Sequence, residues 1–415
     1  MREVVFVCLD FYPDDQAASQ LFTDLMVRLA QRGTKITVLC GFPMGVPRNS
    51  GADIRRHETL AGISIHRCGF HIKNKHRLAG RAVLYGSFLV HAAWKLLGVN
   101  RETFVFGVTS PPFCAHLLWA TSRLAGFRYG YMFLDLFPEA LIALGKLSPR
   151  SPLTRAWKHL NGVSYRSAAR LGVLGRDMIP VLRSAYGIDA WRVRYIPHWS
   201  AAEVSRPVSF RENDLARRLG LDDKFVVQYS GNMGLLHDID ALVRAADQLR
   251  DDARIHFLFI GKGRRRQAAE ELTRELGLRN VTWLTFVPRD QLNETLSCCH
   301  AALVSLRASM EGVAVPSKLY GILAFGRPVV AQVPAASEIA MVIREEGCGL
   351  VAVPGDVEEL ASAIRTLSSS PMLAEEMGAR AFAAYQRAYT VEHAVSAFQN
   401  LLPDEEGTGP GIAAN

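Results

Sequence analysis

Residues 225–263 read FVVQYSGNMGLLHDIDALVRAADQLRDDARIHFLFIGKG. Two apolar runs, Phe225–Tyr229 and Ile255–Ile260, enclose an amphipathic segment, Asp238–Leu249, and a glycine-containing loop follows each run. This order predicts a strand, a helix and a second strand that lies parallel to the first. It therefore predicts an α/β fold, with a parallel sheet covered by helices on both faces.

The same alternation continues along the 415 residues in two series, separated by the polar stretch Pro197–Lys224. Two series predict two doubly wound, Rossmann-like domains that face each other across a cleft, with a boundary between residues 197 and 198. Two further helical segments, Leu373–Tyr389 and Val391–Leu402, follow the second series. The acidic, Gly/Pro-containing tail, 403–415, is predicted to be disordered.

Composition excludes several classes of protein. With 49% hydrophobic and 21% charged residues, the chain is neither disordered nor fibrous. Its seven cysteines form no C-x-x-C pair, so we expect reduced core thiols and no metal site. The uncharged apolar stretch Ala82–Trp94 is shorter than the ~20 residues that span a bilayer. We expect a cytoplasmic protein without a secretory signal.

The formal net charge is +8, which favours a polyanionic partner such as a nucleic acid, a membrane surface or a phosphorylated substrate. Between Arg55 and Arg81 seven Lys and Arg residues face one acid, Glu58, and an apolar segment ending at Trp94 follows. The segment Arg55–Trp94 fits peripheral docking on anionic lipid. The alternative is a solvated loop followed by a core helix. A nucleic-acid groove is disfavoured because no recognised binding module accompanies the charge.

Loops after strands carry the ligand contacts in such folds, and three of them in the second half fit phosphate. Gly231, Asn232 and Gly234 let backbone N–H groups approach an anion, unless they form only a tight turn. Lys262 and Arg264 begin a basic run in the next loop, where a bound anion would offset the charge at a helix start. The D-x-D pair at 238 and 240 is interpreted as helix capping rather than as a metal site.

The third loop, Met310–Tyr320, is the most informative. Pro316, Ser317 and Lys318 begin a helix, where free N–H donors and a lysine charge suit an anion. Glu311 precedes them and is able to accept hydrogen bonds from hydroxyls. The alternative is a capped core helix.

In the first half, two loops are candidates for the acceptor side. Asp135 and Glu139 follow a strand, and so do Asp14, Asp15, Gln16 and Ser19 (in the turn before the first helix). The alternative in both places is a capping turn.

Taken together, these motifs resemble GT-B-fold glycosyltransferases of family 4. Within that family the chain is most similar to bacterial enzymes that build surface polysaccharide on a polyprenyl-diphosphate lipid, of the O-antigen, capsule and colanic-acid type. The resemblance covers about residues 1–402. The segments that carry it include Phe11–Pro13, Asp135–Glu139, Tyr195–Trp199, Tyr229–Gly234, Val315–Lys318, Leu323–Pro328 and Val353–Asp356.

The resemblance implies a donor domain over 198–390, an acceptor domain over 1–197 and a final helix, 391–402, that crosses back to the acceptor domain. Ser317 and Lys318 would bind the donor diphosphate with Gly231–Gly234, and Glu311 would face the sugar or ribose. Asp135 and the turn at 14–19 would face the acceptor. Family members need no metal or other cofactor and retain the anomeric configuration.

The expected function is therefore the transfer of a hexosyl or N-acetylhexosaminyl group from a nucleotide sugar, with UDP as the expected nucleotide. The expected acceptor is a polyprenyl-diphosphate-linked saccharide at the inner face of the cytoplasmic membrane. Two alternatives stay open: a nucleotide-sugar epimerase or phosphorylase, and a non-catalytic partner subunit. The usual glutamate pair is replaced by Val313 and Gly321, and the usual Arg and Lys by Asn232 and His237. The second alternative rests on Gly321 and Asn232.

Overall fold

The computed structural model describes residues 3–14, 16–43, 54–71, 78–200, 204, 206–285 and 291–403. The chain divides into two compact units. Unit 1 comprises Met1–Pro197 and the segment that begins at Val391, and unit 2 comprises His198–Thr390. The predicted tail lies, from residue 404 onward, outside the described residues.

Unit 1 is built on an eight-stranded sheet. Its strands are β1 (Glu3–Val7), β2 (Lys35–Cys40), β3 (His57–Leu60), β4 (Ile63–Arg67), β5 (Phe104–Val108), β6 (Arg128–Phe133), β7 (Arg170–Val173) and β8 (Val193–Tyr195). Its helices are α1 (Ala17–Gln31), α2 (Leu78–Leu97), α3 (Cys114–Ala125), α4 (Glu139–Ala143), α5 (Pro152–Ser167), α6 (Met178–Tyr186) and α15 (Val391–Gln399). The strand order is β3-β4-β2-β1-β5-β6-β7-β8, and only the hairpin of β3 and β4 is antiparallel among these pairs.

Unit 2 is built on a six-stranded, wholly parallel sheet of order β11-β10-β9-β12-β13-β14. Its strands are β9 (Phe225–Ser230), β10 (Ile255–Ile260), β11 (Val281–Leu284), β12 (Ala301–Ser305), β13 (Val329–Gln332) and β14 (Gly349–Ala352). Its helices are α7 (Asp214–Arg218), α8 (Ile239–Gln248), α9 (Arg266–Glu275), α10 (Leu292–Ser297), α11 (Lys318–Ala324), α12 (Glu338–Glu346), α13 (Val357–Ser369) and α14 (Pro371–Ala388). The predicted α/β class with two Rossmann-like sheets is confirmed.

Among the parallel strands, the strand order reverses once in each sheet, and this decides where ligands bind. The reversal lies between β1 and β5 in unit 1 and between β9 and β12 in unit 2. Ligands of open α/β sheets bind outside the carboxyl ends of the strands at such a reversal. The loops after β9 and β12 are two of the three that the sequence singled out for an anion.

Helix α15 belongs to unit 1 because its apolar face completes that unit's core. The ring of Phe398 packs edge-on at 4.6 Å from the ring of Phe106 and lies 6.5 Å from Phe6, measured between centroids. Arg28 and Arg32 on α1 both pair with Glu392 at the start of α15. Aromatic burial thus fixes the end of the chain on the first sheet.

Candidate active site

The loops after β9 and β10 interlock through their backbones. The Gly231 N–H donates to Ile260 O at 2.9 Å, and the Met233 N–H donates to Lys262 O at 2.8 Å. Gly261 has φ +142°, and a Cβ there would lie 2.0 Å from Gly231 O. The loop after β10 therefore needs glycine in order to pack against the loop after β9, whether or not a ligand is bound.

Lys318, the first residue of α11, places a cation against the loop after β9. Its Nζ lies 3.4 Å from the centroid of the Tyr229 ring and, in the described part of the chain, has no hydrogen-bond partner. Both Cε and Nζ lie 3.8 Å from the position that a Cβ on Gly231 would take. Burial holds the pKa of Lys318 well below its usual 10.5. An enclosed amine without an acceptor is costly for a stable protein, and it is a reason to expect a ligand.

His237, in the same loop, is kept neutral. Its Nδ1 lies 2.6 Å from Ser305 O at the end of β12. Because a carbonyl oxygen only accepts, Nδ1 carries the proton. Burial, and secondly the charge of Lys318, lower the pKa of His237 from 6.5 to about 3. His237 therefore adds no second charge beside the lysine.

Glu311 and Ser317 both precede this lysine along the chain. Glu311 is exposed in the loop after β12, directly before Gly312 with φ +67°. Pro316 is buried, and Ser317 occupies the position before α11. Its backbone is helical there, and its side chain makes no capping hydrogen bond. The alternative, a helix capped by the Ser317 side chain, is therefore not supported, because such capping requires an extended backbone at that residue.

The basic run after β10 is only partly available to a ligand. Arg265 pairs with Asp240, and Arg266 donates to Glu270 at 2.7 Å and to Leu284 O at 2.8 Å. These internal partners, rather than an anion, offset two of the three arginine charges. The remaining candidates, Lys262 and Arg264, are exposed.

The D-x-D pair has structural roles. Asp238 accepts from the Ala241 N–H at 3.4 Å as the cap of α8, and Asp240 is the partner of Arg265. The capping interpretation of Asp238 is confirmed.

In unit 1 the candidates lie after β6 and β1. Asp135 is half-buried directly beyond β6, and desolvation raises its pKa from 3.8 to about 6. Glu139, at the start of α4, accepts from the Tyr186 hydroxyl at 2.7 and 2.9 Å and lies 3.2 Å from Lys158 Nζ. Both oxygens of Glu139 are thus engaged within the unit.

The turn after β1 contains a carboxylate that sequence reasoning missed. Asp10 accepts from the Ser110 hydroxyl at 2.7 Å and from Gln16 Nε2 at 3.3 Å, which links the loops after β1 and β5. Asp14 is buried and accepts from the Gln16 N–H at 3.3 Å. Ser19 is buried on α1, and Asp15 lies outside the described residues. The available signal for Asp10 was its position as the first polar residue after the apolar run of β1.

Comparison with known sequences identifies the family. The family described as "Glycosyl transferases group 1" matches residues 211–384. The probable glycosyltransferase WbjE of Pseudomonas aeruginosa is 30% identical over 294 residues, which cover 70% of this chain and 72% of WbjE. The putative colanic acid biosynthesis glycosyl transferase WcaI of Escherichia coli K12 is 25% identical over 86% of this chain and 90% of its own.

Solved structures show the same fold at low identity. Sucrose-phosphate synthase of Thermosynechococcus elongatus superimposes with a TM-score of 0.76 at 16% identity, over 97% of this chain and 98% of its own. Anabaena HepE in complex with UDP-glucose gives 0.69 at 14% identity, over 97% and 99%. The fold is therefore GT-B. Together with the identity to WbjE, this places the chain in the glycosyl transferases group 1 family.

Proposed function

We propose that this chain transfers a hexosyl or N-acetylhexosaminyl group from a UDP-linked sugar to a polyprenyl-diphosphate-linked saccharide during surface polysaccharide synthesis. The reaction proceeds with retention at the anomeric carbon and without a metal ion. The name of WbjE, a probable glycosyltransferase, supports sugar transfer, and the name of WcaI, a putative colanic acid biosynthesis enzyme, supports a role in polysaccharide synthesis. The UDP-glucose complex of the HepE neighbour supports the choice of nucleotide.

The observation that carries the proposal is the unpartnered ammonium of Lys318 beside Gly231. A diphosphate oxygen at this point supplies the acceptor that the amine lacks, and the charge pair then favours the protonated lysine. Glycine at 231 leaves the approach to the backbone free of a side chain. Ser317 offers a hydroxyl that helix capping does not use.

The main chemical task is to stabilise the departing nucleoside diphosphate. The bond from the anomeric carbon to the diphosphate oxygen breaks, and the acceptor hydroxyl oxygen forms its bond on the same face of the sugar. The hydroxyl proton passes to the departing diphosphate. Lys318 stabilises the growing negative charge, and such fixed electrostatic contacts supply a large share of rate enhancement in enzymes. Exposed Glu311 is assigned to the sugar or ribose hydroxyls, with Lys262 and Arg264 at the rim.

Asp135 and the turn at 14–19 are assigned to the acceptor. Carboxylates accept hydrogen bonds from sugar hydroxyls, and Asp135 is ionised at neutral pH although its pKa is raised to about 6. The proposed site of action is the inner face of the cytoplasmic membrane, where a lipid-linked acceptor is reached from the cytoplasm.

Thermal unfolding with UDP, GDP, ADP and their common sugars tests the donor assignment. A ligand at about 100 times its Kd adds ~2.7 kcal/mol, which shifts the midpoint by roughly 5–10 °C for units of this size. We expect a selective shift with UDP compounds that Lys318→Ala abolishes. Lys224→Ala, which removes an ion pair with Asp223 in the same unit, should keep it. No shift with any nucleotide, or full transfer by folded Lys318→Ala, contradicts the proposal.

A further inference from the structure

Three neighbouring helices of unit 1 contain no acidic residue. Helix α3 contacts both α2 and α5, and the three together comprise 20, 12 and 16 residues without one Asp or Glu. We call them the acid-free layer. Their basic residues are Arg81, Lys95, Arg123, Arg155, Lys158 and Arg166. In unit 2 every described helix except α11 carries at least one acidic residue.

Helix α2 is apolar on two opposite faces. One face, formed by Leu84, Phe88, Ala92 and Leu96, is buried against unit 1. The other carries four large apolar side chains that face solvent, namely Val83, Val90, Trp94 and Leu97. At 3.6 residues per turn these four fall within about 60° of one another around the axis. Trp94 is 76% exposed and Val90 is 71% exposed. A core helix needs one apolar face, so the second face indicates a partner.

The two neighbouring helices, α3 and α5, also expose large apolar side chains. Leu124 on α3 and Leu153 and Leu160 on α5 are exposed. Of the large hydrophobic side chains that are exposed in the described chain, only Val353 and Met372 belong to unit 2. Apolar exposure is therefore concentrated in unit 1, with seven such side chains on the three helices that lack acids.

The distribution of charge over the two units distinguishes between the possible partners of this surface. Unit 1 contains 26 Lys and Arg against 16 Asp and Glu, whereas unit 2 contains 22 against 24, so the net charge of +8 resides in unit 1. A second copy of the same face would bring like charges together. A nucleic acid would leave exposed valines, leucines and Trp94 without apolar partners. An anionic lipid surface satisfies both features, because tryptophan and aliphatic side chains enter the interface while Lys and Arg meet the headgroups.

The structure also corrects the charge predicted for Arg55–Trp94. Arg67 is buried, pairs with Glu58 and donates to Tyr12 O at 2.8 Å, so its charge does not reach a membrane. Glu58 lies on β3, which sequence reasoning did not predict, and Arg67 ends β4. Lys73, Lys75 and Arg77 lie outside the described residues. Among the described residues, the three helices supply exposed charge through Arg81, Lys95, Arg123 and Arg155.

We propose that the acid-free layer docks on an anionic lipid bilayer with the outer face of α2 in the headgroup region. The proposal deepens the function proposed above, since it specifies the surface that meets the membrane of a lipid-linked acceptor. None of the helices in the described residues is long and apolar enough to cross a bilayer. The contact is therefore interfacial, with Trp94 and Val90 as apolar anchors.

Labelled cysteines test the contact directly. The seven native cysteines are buried, so an environment-sensitive dye reacts with an introduced one. On addition of phosphatidylcholine vesicles with about one third phosphatidylglycerol, dye on Val90→Cys should shift to the blue. Dye on Met372→Cys, an equally exposed apolar position of unit 2, should not. An equal response at both positions, or no response at Val90→Cys, overturns the proposal.

Charge removal tests the layer as a whole by vesicle flotation. Each basic residue near such a surface contributes about five-fold to binding, so Lys95→Gln, Arg123→Gln and Arg155→Gln combined should weaken it roughly 100-fold. The control combines Arg217→Gln, Arg254→Gln and Arg365→Gln, three exposed arginines of unit 2, and should keep wild-type binding. Equal binding by the two triple variants, equal binding to neutral vesicles, or a dimer that Trp94→Glu dissociates would refute lipid docking.

Nucleotide binding keeps this test separate from the proposed function. UDP should stabilise the triple variant as it stabilises the wild type, because the layer lies in unit 1 and Lys318 in unit 2. If vesicles bind as expected and no nucleotide does, the docking surface stands and the transferase proposal fails. The reverse result leaves the transferase proposal standing and rejects the surface.

Discussion

The candidate-site loops of the two sheets differ in the charged groups that they supply. In unit 2 the group enclosed there is a cation, Lys318, held against Tyr229 without a hydrogen-bond partner among described residues. In unit 1 the corresponding loops supply carboxylates, Asp10, Asp14 and Asp135. Two sheets of the same doubly wound kind thus offer a site for an anion and a site for hydroxyl groups. The topology places the loops, and the sign of the charge within them selects the ligand.

The net charges of the two units show the opposite contrast. Unit 1, which supplies these carboxylates, contains 26 Lys and Arg and 16 Asp and Glu, so its net charge is +10. Unit 2 contains 22 Lys and Arg and 24 Asp and Glu, so its net charge is −2. Arginines on the unit 2 surface are commonly paired, as Arg254 is with Asp252 and Arg365 with Glu358. The whole-chain charge of +8 therefore does not report on the proposed donor site, where the enclosed charged group is Lys318.

Lys318→Met is expected to have the largest effect and to act in opposite directions on stability and activity. Loss of one electrostatic contact to a leaving group costs about 10²–10³-fold in turnover, or roughly 3–4 kcal/mol. The apo protein should become more stable, since methionine fills a similar volume without an enclosed amine. Denaturant unfolding without ligand and transfer assays measure the two effects.

Proton uptake provides the control for this substitution. Because burial holds the pKa of Lys318 well below its usual 10.5, a bound diphosphate should raise that pKa again, and UDP binding in alkaline buffer should therefore take up a proton. Binding enthalpies in buffers of different ionisation enthalpy should show that uptake in the wild type and none in Lys318→Met. Equal proton uptake in both proteins, or a less stable apo variant, contradicts the enclosed-cation interpretation.

The next effect concerns His237 and acid. Its folded pKa of about 3 lies below the usual 6.5, so the unfolded chain binds more protons between these values, and stability falls as the pH falls from 6.5. Acidification from about pH 7 to pH 5 should cost roughly 2 kcal/mol through this residue. Denaturant unfolding at the two pH values measures the loss.

His237→Asn should remove that share of the loss, whereas His159→Asn, at an exposed position of unit 1, should leave it unchanged. Lys318→Met should also raise the pKa of His237 in NMR titration, because the lysine charge is one of the causes that lower it. An unchanged pKa would mean that burial alone keeps the ring neutral.

Sequence reasoning found the elements whose apolar residues are periodic and missed those whose buried residues are polar. Helix α5 is an example, because its buried positions are Thr154, Asn161, Gly162, Ser164 and Tyr165. That set shows no apolar stripe, so no helix was predicted there. The loop glycines and Lys318 could be predicted because glycine directly after a strand and lysine at the start of a helix are recognisable in the sequence itself. Side-chain partners that the fold brings together, such as Glu58 for Arg67 or Ser110 for Asp10, cannot be recognised from the sequence pattern.

Asp135→Asn is the corresponding test in unit 1. The folded pKa of about 6 lies above 3.8, so the folded state binds more protons between them and loses stability as the pH rises through this window. At neutral pH the substitution should therefore stabilise the protein by roughly 1–2 kcal/mol, after allowance for partial exposure. Transfer should fall, and wild-type transfer should lose activity below about pH 6 as the carboxylate is protonated. Full transfer by Asp135→Asn would remove this residue from the acceptor side.

Glu139→Gln should have the smallest effect on activity, and it separates the carboxylates of unit 1 from one another. Both Glu139 oxygens already accept from the Tyr186 hydroxyl, and Lys158 Nζ lies 3.2 Å away, so the residue is expected to fix α4 rather than to bind acceptor. Glutamine keeps the shape but loses the charge-assisted contacts, which should lower the free energy of unfolding by about 1–2 kcal/mol. Tyr186→Phe should cost a similar amount, and the double variant should cost less than the sum because the two groups share one interaction. A large fall in transfer with unchanged unfolding in Glu139→Gln would instead make Glu139 an acceptor ligand beside Asp135, as the sequence pattern had predicted.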